Sequence, residues 1–91
     1  MPLPSFHFLQ RMAKKNQKSK IDWYIINQVK EKRIGLGIEQ VDVALHLEVS
    51  NGFIGQIESP NFRAKYNTQH LNELAKMFKC SPKDFMPDKP L

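Results

Sequence analysis

The stretch that decides the fold is residues 40–58, QVDVALHLEVSNGFIGQIE. In its first half, apolar or small residues follow Gln40 at the i+3, i+4 and i+7 positions, namely Val43, Ala44 and Leu47. This spacing places them on one side of a helix of about two turns. Because Ala44 is small, a second helix can cross close to the first helix at this position.

The second half of the stretch predicts another short helix. Ser50 is a favourable N-cap, because its hydroxyl can accept a hydrogen bond from an amide of the first turn. Ile54 and Ile57 share one face of that helix, and Pro60 predicts that the helix ends at Ser59. Only residues 47–50 separate the two apolar patterns, so the stretch predicts two short helices joined by a tight turn.

The sequence before this stretch predicts a longer helix. The helical pattern begins at Ile21, and one side of the helix is formed by Ile25, Ile26, Val29, Lys32, Arg33 and Leu36. Gly35 and Gly37 predict where the helix ends, because glycine is the preferred residue just beyond a helix C-terminus.

The sequence after the stretch predicts a loop over residues 60–66, after which Asn67 or Thr68 caps a fourth helix. The stripe of this helix is the clearest amphipathic pattern in the chain and consists of Leu71, Leu74, Ala75 and Phe78. Residues 81–84 combine a serine cap, a proline at the first helical position and an acid at the third, which predicts a fifth helical turn before Pro87.

These patterns predict an all-α fold, a compact five-helix domain over residues 21–86. Residues 1–20 contain two prolines and a lysine-rich run from Lys14 to Lys20 without helical periodicity, which predicts a basic, disordered arm. Residues 87–91 are a short C-terminal tail. A chain of 91 residues is expected to form one small domain rather than a multidomain regulator.

Charge is distributed unevenly along the chain, which has a formal net charge of +5. Residues 1–33 contain eight Lys or Arg residues against two acidic ones, and residues 59–91 contain six against three. Residues 34–58 contain four acidic residues and no Lys or Arg. The basic flanks favour a polyanionic partner, although many small basic proteins bind no polyanion.

The composition offers no disulfide or metal that could stabilise the domain. Cys80 is the single cysteine, and no cluster of cysteine and histidine has the spacing of a zinc site. His46 and His70 have no partner at triad spacing, which argues against an enzyme. No run reaches the roughly 18 apolar residues of a membrane span, so we expect a cytoplasmic protein without a cofactor.

With these features, the sequence resembles the lambda repressor/Cro-like helix-turn-helix family, often called the XRE family, over about residues 22–86. The matching features, in order, are Gln40 at the start of the second helix, Ala44 at the crossing, Val49-Ser50 in the turn, and Ile54 with Ile57-Glu58 on the third helix. The resemblance implies a lambda-repressor-like fold and a sequence-specific regulator of transcription, expected to be a repressor. Such a protein inserts its third helix into the major groove of double-stranded DNA and binds as a homodimer.

The resemblance also implies which residues contact DNA. The implied base-reading positions are Asn51, Gly52 and Gln56, of which the two amides can pair with adenine. The implied phosphate-contacting positions are Gln40, Ser50, Arg63, Lys65, Tyr66 and Asn67. Gln40 lies at the positive end of the second helix, where anions are favoured.

The sequence departs from the family pattern at three places. Glu48 occupies the turn position usually held by glycine, so we expect a non-glycine residue in the left-handed conformation there. Glu39 stands in place of the usual serine or threonine cap before Gln40. No Lys or Arg lies between Arg33 and Arg63, which removes the commonest guanine contact.

A second interpretation stays open at this point. The acidic middle of the chain and the two glycines of the third helix, Gly52 and Gly55, also fit a protein-interaction module, or an antitoxin-like partner, on the same helical scaffold. Four further apolar residues either form a dimer face or complete the core: Val41, Leu45, Met77 and Phe85. Phe53 either packs or contacts a thymine methyl group.

Overall fold

The computed structural model describes residues 18–91, and every regular element within them is helical. The elements are α1 (Lys20–Gly35), α2 (Gln40–Leu47), α3 (Asn51–Glu58), α4 (Thr68–Phe78) and a 3₁₀ helix (Pro82–Phe85). The predicted all-α class is confirmed for this part of the chain. The prediction of five helices is corrected to four α-helices, because the fifth predicted turn adopts the tighter 3₁₀ form. The predicted disordered arm falls mostly on residues 1–17, which lie outside the described residues.

Helix α1 begins at a capping box formed by Ser19 and Asp22, and the sequence analysis had assigned Ser19 to the arm. The Ser19 amide donates to Asp22 Oδ2 at 2.9 Å, and the Asp22 amide donates to Ser19 Oγ at 3.2 Å. At the other end, Gly37 has a φ of 70°, and the amide of Ile38 donates to the Arg33 carbonyl at 2.9 Å. These contacts form a Schellman motif that depends on the left-handed conformation of Gly37.

Helices α3 and α4 begin at the caps that the sequence predicts. Ser50 Oγ accepts the Phe53 amide at 3.1 Å, and Asn67 Oδ1 accepts the His70 amide at 2.7 Å. Ser81 opens the 3₁₀ helix, with its own amide donating to the Asp84 carboxylate at 2.9 Å. Each cap satisfies an amide that has no partner within the helix.

The helices share one apolar core, in which α2 packs against α3 and α4, and α1 packs across α3, α4 and the 3₁₀ helix. The buried apolar residues are Ile26, Val29, Val43, Ala44, Ile54, Ile57, Tyr66, Leu71, Leu74, Ala75, Phe78 and Phe85. The whole predicted stripe of α4 is therefore confirmed. The predicted stripe of α1 was too broad, because Leu36 is 55% exposed.

Candidate nucleic-acid interface

The turn between α2 and α3 consists of residues 48–50 and is closed by main-chain bonds. Glu48 adopts the left-handed conformation, with φ 58° and ψ 43°, as the sequence predicts. The amide of Val49 donates to the Ala44 carbonyl at 3.0 Å, which fastens the turn to the preceding helix. Ser50 then caps α3 within the same few residues. This local bonding sets the path of the chain between the two helices.

Helix α3 has one buried face and one exposed polar face. Ile54 and Ile57 are fully buried in the core. The predicted base-reading residues Asn51, Gly52 and Gln56 are all exposed. Since the apolar residues of α3 face the core, the side chains of Asn51 and Gln56 are exposed to a ligand from solvent.

The two glycines of α3 are not required by packing inside the chain. A methyl group built at Gly52 would meet no atom within 4 Å, and one built at Gly55 would lie 4.0 Å from Gln40 Oε1. Each glycine costs about 1 kcal/mol relative to alanine in a helix interior. The space beside Gly52 is therefore open and unused by the fold, whereas a methyl group at Gly55 would be in ordinary contact with Gln40.

Three side chains from different helices meet at the C-terminal end of α3. Glu58 Oε1 accepts a hydrogen bond from Arg33 Nη2 at 3.2 Å and another from Gln40 Nε2 at 3.0 Å. The side chains of Arg33 and Glu58 are only 10% and 6% exposed. Arg33 Nη1 also donates to the Ile38 carbonyl at 3.1 Å. This buried network fixes α1, α2 and α3 to one another.

The hydrogen bond from Gln40 to Glu58 was not predicted from the sequence. One amide hydrogen of Gln40 is engaged by Glu58, and the side chain is half-buried at the N-terminus of α2. At the neighbouring cap, the Glu39 amide donates to Asp42 Oδ2 at 2.9 Å. A phosphate contact by Gln40 would use the remaining polar atoms of its amide group.

The structure places Tyr66 in the core and not on the surface predicted for a phosphate contact. Tyr66 is 8% exposed, and its ring lies edge-on to His70 with 6.1 Å between the ring centroids. Burial, together with the negative charge of Glu58, raises the pKa of the Tyr66 hydroxyl, and Arg33 opposes this rise. Tyr66 therefore does not belong to the set of candidate phosphate contacts.

The four remaining predicted phosphate contacts are all exposed. Arg63 is exposed in the loop that follows α3. Lys65 is also exposed, and its ammonium lies 3.4 Å from the Asp22 carboxylate. Ser50 and Asn67 are exposed cap residues, so each already accepts one main-chain amide. Arg63 and Lys65 are thus exposed cations of the loop that connects α3 to α4.

Lys18 is a residue at this site that sequence reasoning missed. It is 9% exposed, and its ammonium donates to the Gln56 carbonyl at 3.1 Å and to the Ser59 carbonyl. The ammonium also lies 4.6 Å from the centroid of the Trp23 ring, a cation–π distance. Burial lowers the pKa of Lys18, and the nearby Asp22 carboxylate opposes that shift. In the sequence, Lys18 is indistinguishable from the other lysines of the basic run.

His70 connects the start of α4 to α3. Its Nδ1 accepts the Asn67 amide at 3.1 Å, which requires that this nitrogen carry no proton. The ring lies edge-on to Phe53 with 6.0 Å between the centroids, so Phe53 is packed rather than free. Burial lowers the pKa of His70, in agreement with the neutral form that the cap requires.

Of the four apolar residues predicted either to form a dimer face or to complete the core, two pack in the core and two are exposed. Phe85 is fully buried and Met77 is half-buried against the core, so these two complete the core. Val41 and Leu45 are 42% and 74% exposed on α2. Of these four residues, the pair on α2 is the one exposed to a partner.

Among residues 18–91, no group of three His, Cys, Asp or Glu side chains is arranged to hold a metal ion. Of the helices in the same range, none combines the length and apolar content that a membrane span requires. Comparisons with family models, with curated proteins and with solved structures found no match for this chain.

Proposed function

We propose that the protein binds double-stranded DNA sequence-specifically and regulates transcription, as a repressor, with α3 as its recognition helix in the major groove. The observation that supports this proposal best is the exposed face of α3, where Asn51, Gly52 and Gln56 are open to solvent while Ile54 and Ile57 hold the helix in the core. The major groove, about 12 Å wide, admits an α-helix. A face of amides and glycine suits close approach to base edges.

Base recognition comes from the two amides of the recognition helix. The side chains of Asn51 and Gln56 can each pair bidentately with the N6 and N7 atoms of adenine, and each good pair discriminates by about 1–3 kcal/mol. Residues 34–62 contain no Lys or Arg, so the preferred site is rich in A·T pairs rather than guanine. Gly52 lets the helix backbone approach the bases without a side chain in between.

Phosphate contacts set the register of the recognition helix on the duplex. Arg63 and Lys65 are the exposed cations of the adjoining loop, and Gln40 lies at the positive N-terminal end of α2. A second copy would bind the other half-site about one turn away, roughly 34 Å along the duplex. Val41 and Leu45, the exposed apolar pair of α2, are available to a partner chain.

The test begins by selecting binding sites from random duplex DNA with the full chain. Fluorescence anisotropy then compares the selected duplex with a scrambled one at two salt concentrations. We expect a preference of at least about 10³-fold, with affinity falling as salt rises. Equal affinity for the two duplexes, or no binding at low salt, would refute the proposal.

A matched pair of variants assigns the base contacts. Gln56→Ala should lower the preference for the selected site, whereas Asn72→Ala removes an exposed amide on α4 and should leave it unchanged. Lys65→Ala should weaken binding to all sequences about equally and reduce the salt slope by about 0.9. An equal loss on both duplexes for Gln56→Ala would remove it from the base-reading set.

The second candidate function is a protein-interaction module, or an antitoxin-like partner, on the same scaffold. Leu45, 74% exposed beside Val41 on a helix with acidic neighbours, favours it. Sedimentation of the wild-type chain and of Leu45→Glu separates the cases. A self-associating chain that becomes monomeric in Leu45→Glu and binds no DNA would support this alternative.

A further inference from the structure

The C-terminal end of α3 is bonded by a lysine that precedes α1 in the chain. The Lys18 ammonium donates to the carbonyls of Gln56 and Ser59, which lie in the last turn of α3 and at its C-cap. We propose that Lys18 is a positioning residue, which fixes the recognition helix from its C-terminal end so that Asn51 and Gln56 meet the bases in register. This inference rests on the proposed function of α3.

The recognition helix needs a cation at this end. The last carbonyls of any α-helix have no partner within the helix, and they form the negative end of its dipole. Helix α3 has no basic residue in its last turn, and its one charged residue, Glu58, has the unfavourable sign for that end. Lys18 supplies the missing positive charge at the carbonyls, while Arg33 neutralises the Glu58 carboxylate at 3.2 Å.

Lys18 is itself held firmly in place. It directly precedes Ser19, which is locked to Asp22 by the capping box of α1. The Trp23 ring lies 4.6 Å from the ammonium and covers one side of it. An ammonium held between an aromatic ring and two carbonyls loses little further freedom, so it can restrain the helix end effectively.

The two cations at this end of α3 come from opposite ends of α1. Lys18 lies just before the N-cap of α1, and Arg33 lies in its last turn. Helix α3 is only 8 residues long, whereas α1 has 16. The longer helix therefore sets the orientation of the shorter one through charged contacts at both of its own ends.

The burial of Lys18 distinguishes a positioning role from a direct contact with DNA. Lys18 is 9% exposed, and its ammonium is engaged by carbonyls, so it is not available to a phosphate. Lys20, two residues later, is exposed and offers a matched control. A positioning residue should change specificity without changing the number of ions released on binding, which a phosphate contact does change.

The experiment compares Lys18→Met, which keeps the apolar stem and removes the ammonium, with Lys20→Met in the full chain. Amide hydrogen exchange of the free protein is measured at residues 57–59, and anisotropy is measured on the selected and scrambled duplexes across a salt series. We expect Lys18→Met to accelerate exchange at residues 57–59 by about tenfold, since bonds to a charged group are lost. Its preference for the selected duplex should fall about tenfold at an unchanged salt slope, while Lys20→Met leaves exchange and preference as in the wild type.

Unchanged exchange at residues 57–59 in Lys18→Met would overturn the inference. So would an equal loss of affinity on both duplexes with a salt slope lower by about 0.9, which would make Lys18 a phosphate contact. If Lys18→Met does not fold, Lys18→Gln, with a neutral donor, is judged by the same criteria. If the wild-type chain bound no duplex, the proposed function would fail, while the exchange result would still decide whether Lys18 fixes α3.

Discussion

Helices α3 and α4 follow each other in the chain but are stabilised in different ways. Helix α4 has 11 residues and buries a stripe of four, and residues at its own two ends cap it. Helix α3 has 8 residues, two of them glycine, and buries only two. Both helices are shorter than about 12 residues, a length at which isolated helices are marginal in water, so both need tertiary packing. Helix α3 buries fewer residues and is also bonded by Lys18 and Arg33 from α1 and its N-terminal flank, while Asn51 and Gln56 stay exposed.

The largest expected effect comes from breaking the buried ion pair at α3. Glu58→Ala leaves the Arg33 guanidinium buried without its carboxylate, so the free energy of unfolding should fall by about 3–5 kcal/mol. Urea unfolding measures this change. Glu31→Ala, which removes an exposed acid on α1, should change it by less than about 0.5 kcal/mol. A loss below about 1 kcal/mol for Glu58→Ala would mean that solvent screens the pair.

A cavity in the core beside α4 should lower the free energy of unfolding slightly less, through the loss of apolar contacts. Leu74 is fully buried, so Leu74→Ala removes apolar contacts and should cost about 2–5 kcal/mol in unfolding free energy. The exposed neighbour Asn72→Ala serves as its control. Because α3 and α4 share one core, native-state hydrogen exchange should quicken in both helices. Faster exchange confined to α4 would contradict a shared core.

The turns that end α2 and α4 allow a direct comparison of the same backbone strain. Glu48 and Lys79 have φ values of 58° and 57°, in the left-handed region that favours glycine. We expect Glu48→Gly and Lys79→Gly each to raise the free energy of unfolding by about 1 kcal/mol. Thermal unfolding tests both variants. A loss of stability in only one of them would show that its side chain makes a favourable contact there.

Gly52→Ala should raise the stability of the chain and weaken its binding to DNA. A methyl group at Gly52 meets no atom within 4 Å, so the variant should be more stable by about 0.5–1 kcal/mol. In the proposed complex the same methyl group faces the bases and should weaken binding to the selected duplex. Gly35→Ala, with equally open surroundings at the end of α1, should keep DNA affinity unchanged. Unaltered affinity in Gly52→Ala would exclude close approach of this residue to DNA.

The smallest effect concerns the pH dependence of the α4 cap. Burial lowers the pKa of His70 in the folded chain, so the unfolded chain takes up a proton first as the pH falls. The stabilisation is complete above the unfolded pKa, about 6.5, and is lost as the pH falls through the lower folded value. Urea unfolding between about pH 7.5 and pH 5 should show this loss, and His70→Gln should lessen it. An identical pH dependence in His70→Gln would contradict the assignment.

Local patterns predicted most of the fold. The α4 stripe from Leu71 to Phe78, the caps at Ser50 and Asn67 and the left-handed Glu48 all depend on residues within a few positions of one another. Such contacts follow from helical periodicity and from the bonds that a helix end requires. They could be predicted because the partners are close in the sequence.

The contacts that organise the candidate site could not be predicted in this way. Lys18 bonds to residues 38 and 41 positions away, and Arg33 bonds to Glu58 at a separation of 25. Tyr66, predicted as a surface contact, is buried in the shared core with its ring edge-on to His70. The identity of a lysine or a tyrosine in the sequence does not indicate whether the folded chain exposes or buries that side chain.

By itself, the sequence determined the helical class, the caps, the α4 stripe and the two-helix unit of residues 40–58, because each depends on local spacing. Only the tertiary structure decided that Lys18 and Arg33 hold α3 from opposite ends of α1, that Gln40 bonds to Glu58 and that Tyr66 is buried. The physical reason is that burial and long-range ion pairing depend on how helices pack. The charge and polarity of a residue say what it can bond to, and packing decides which partner comes within reach.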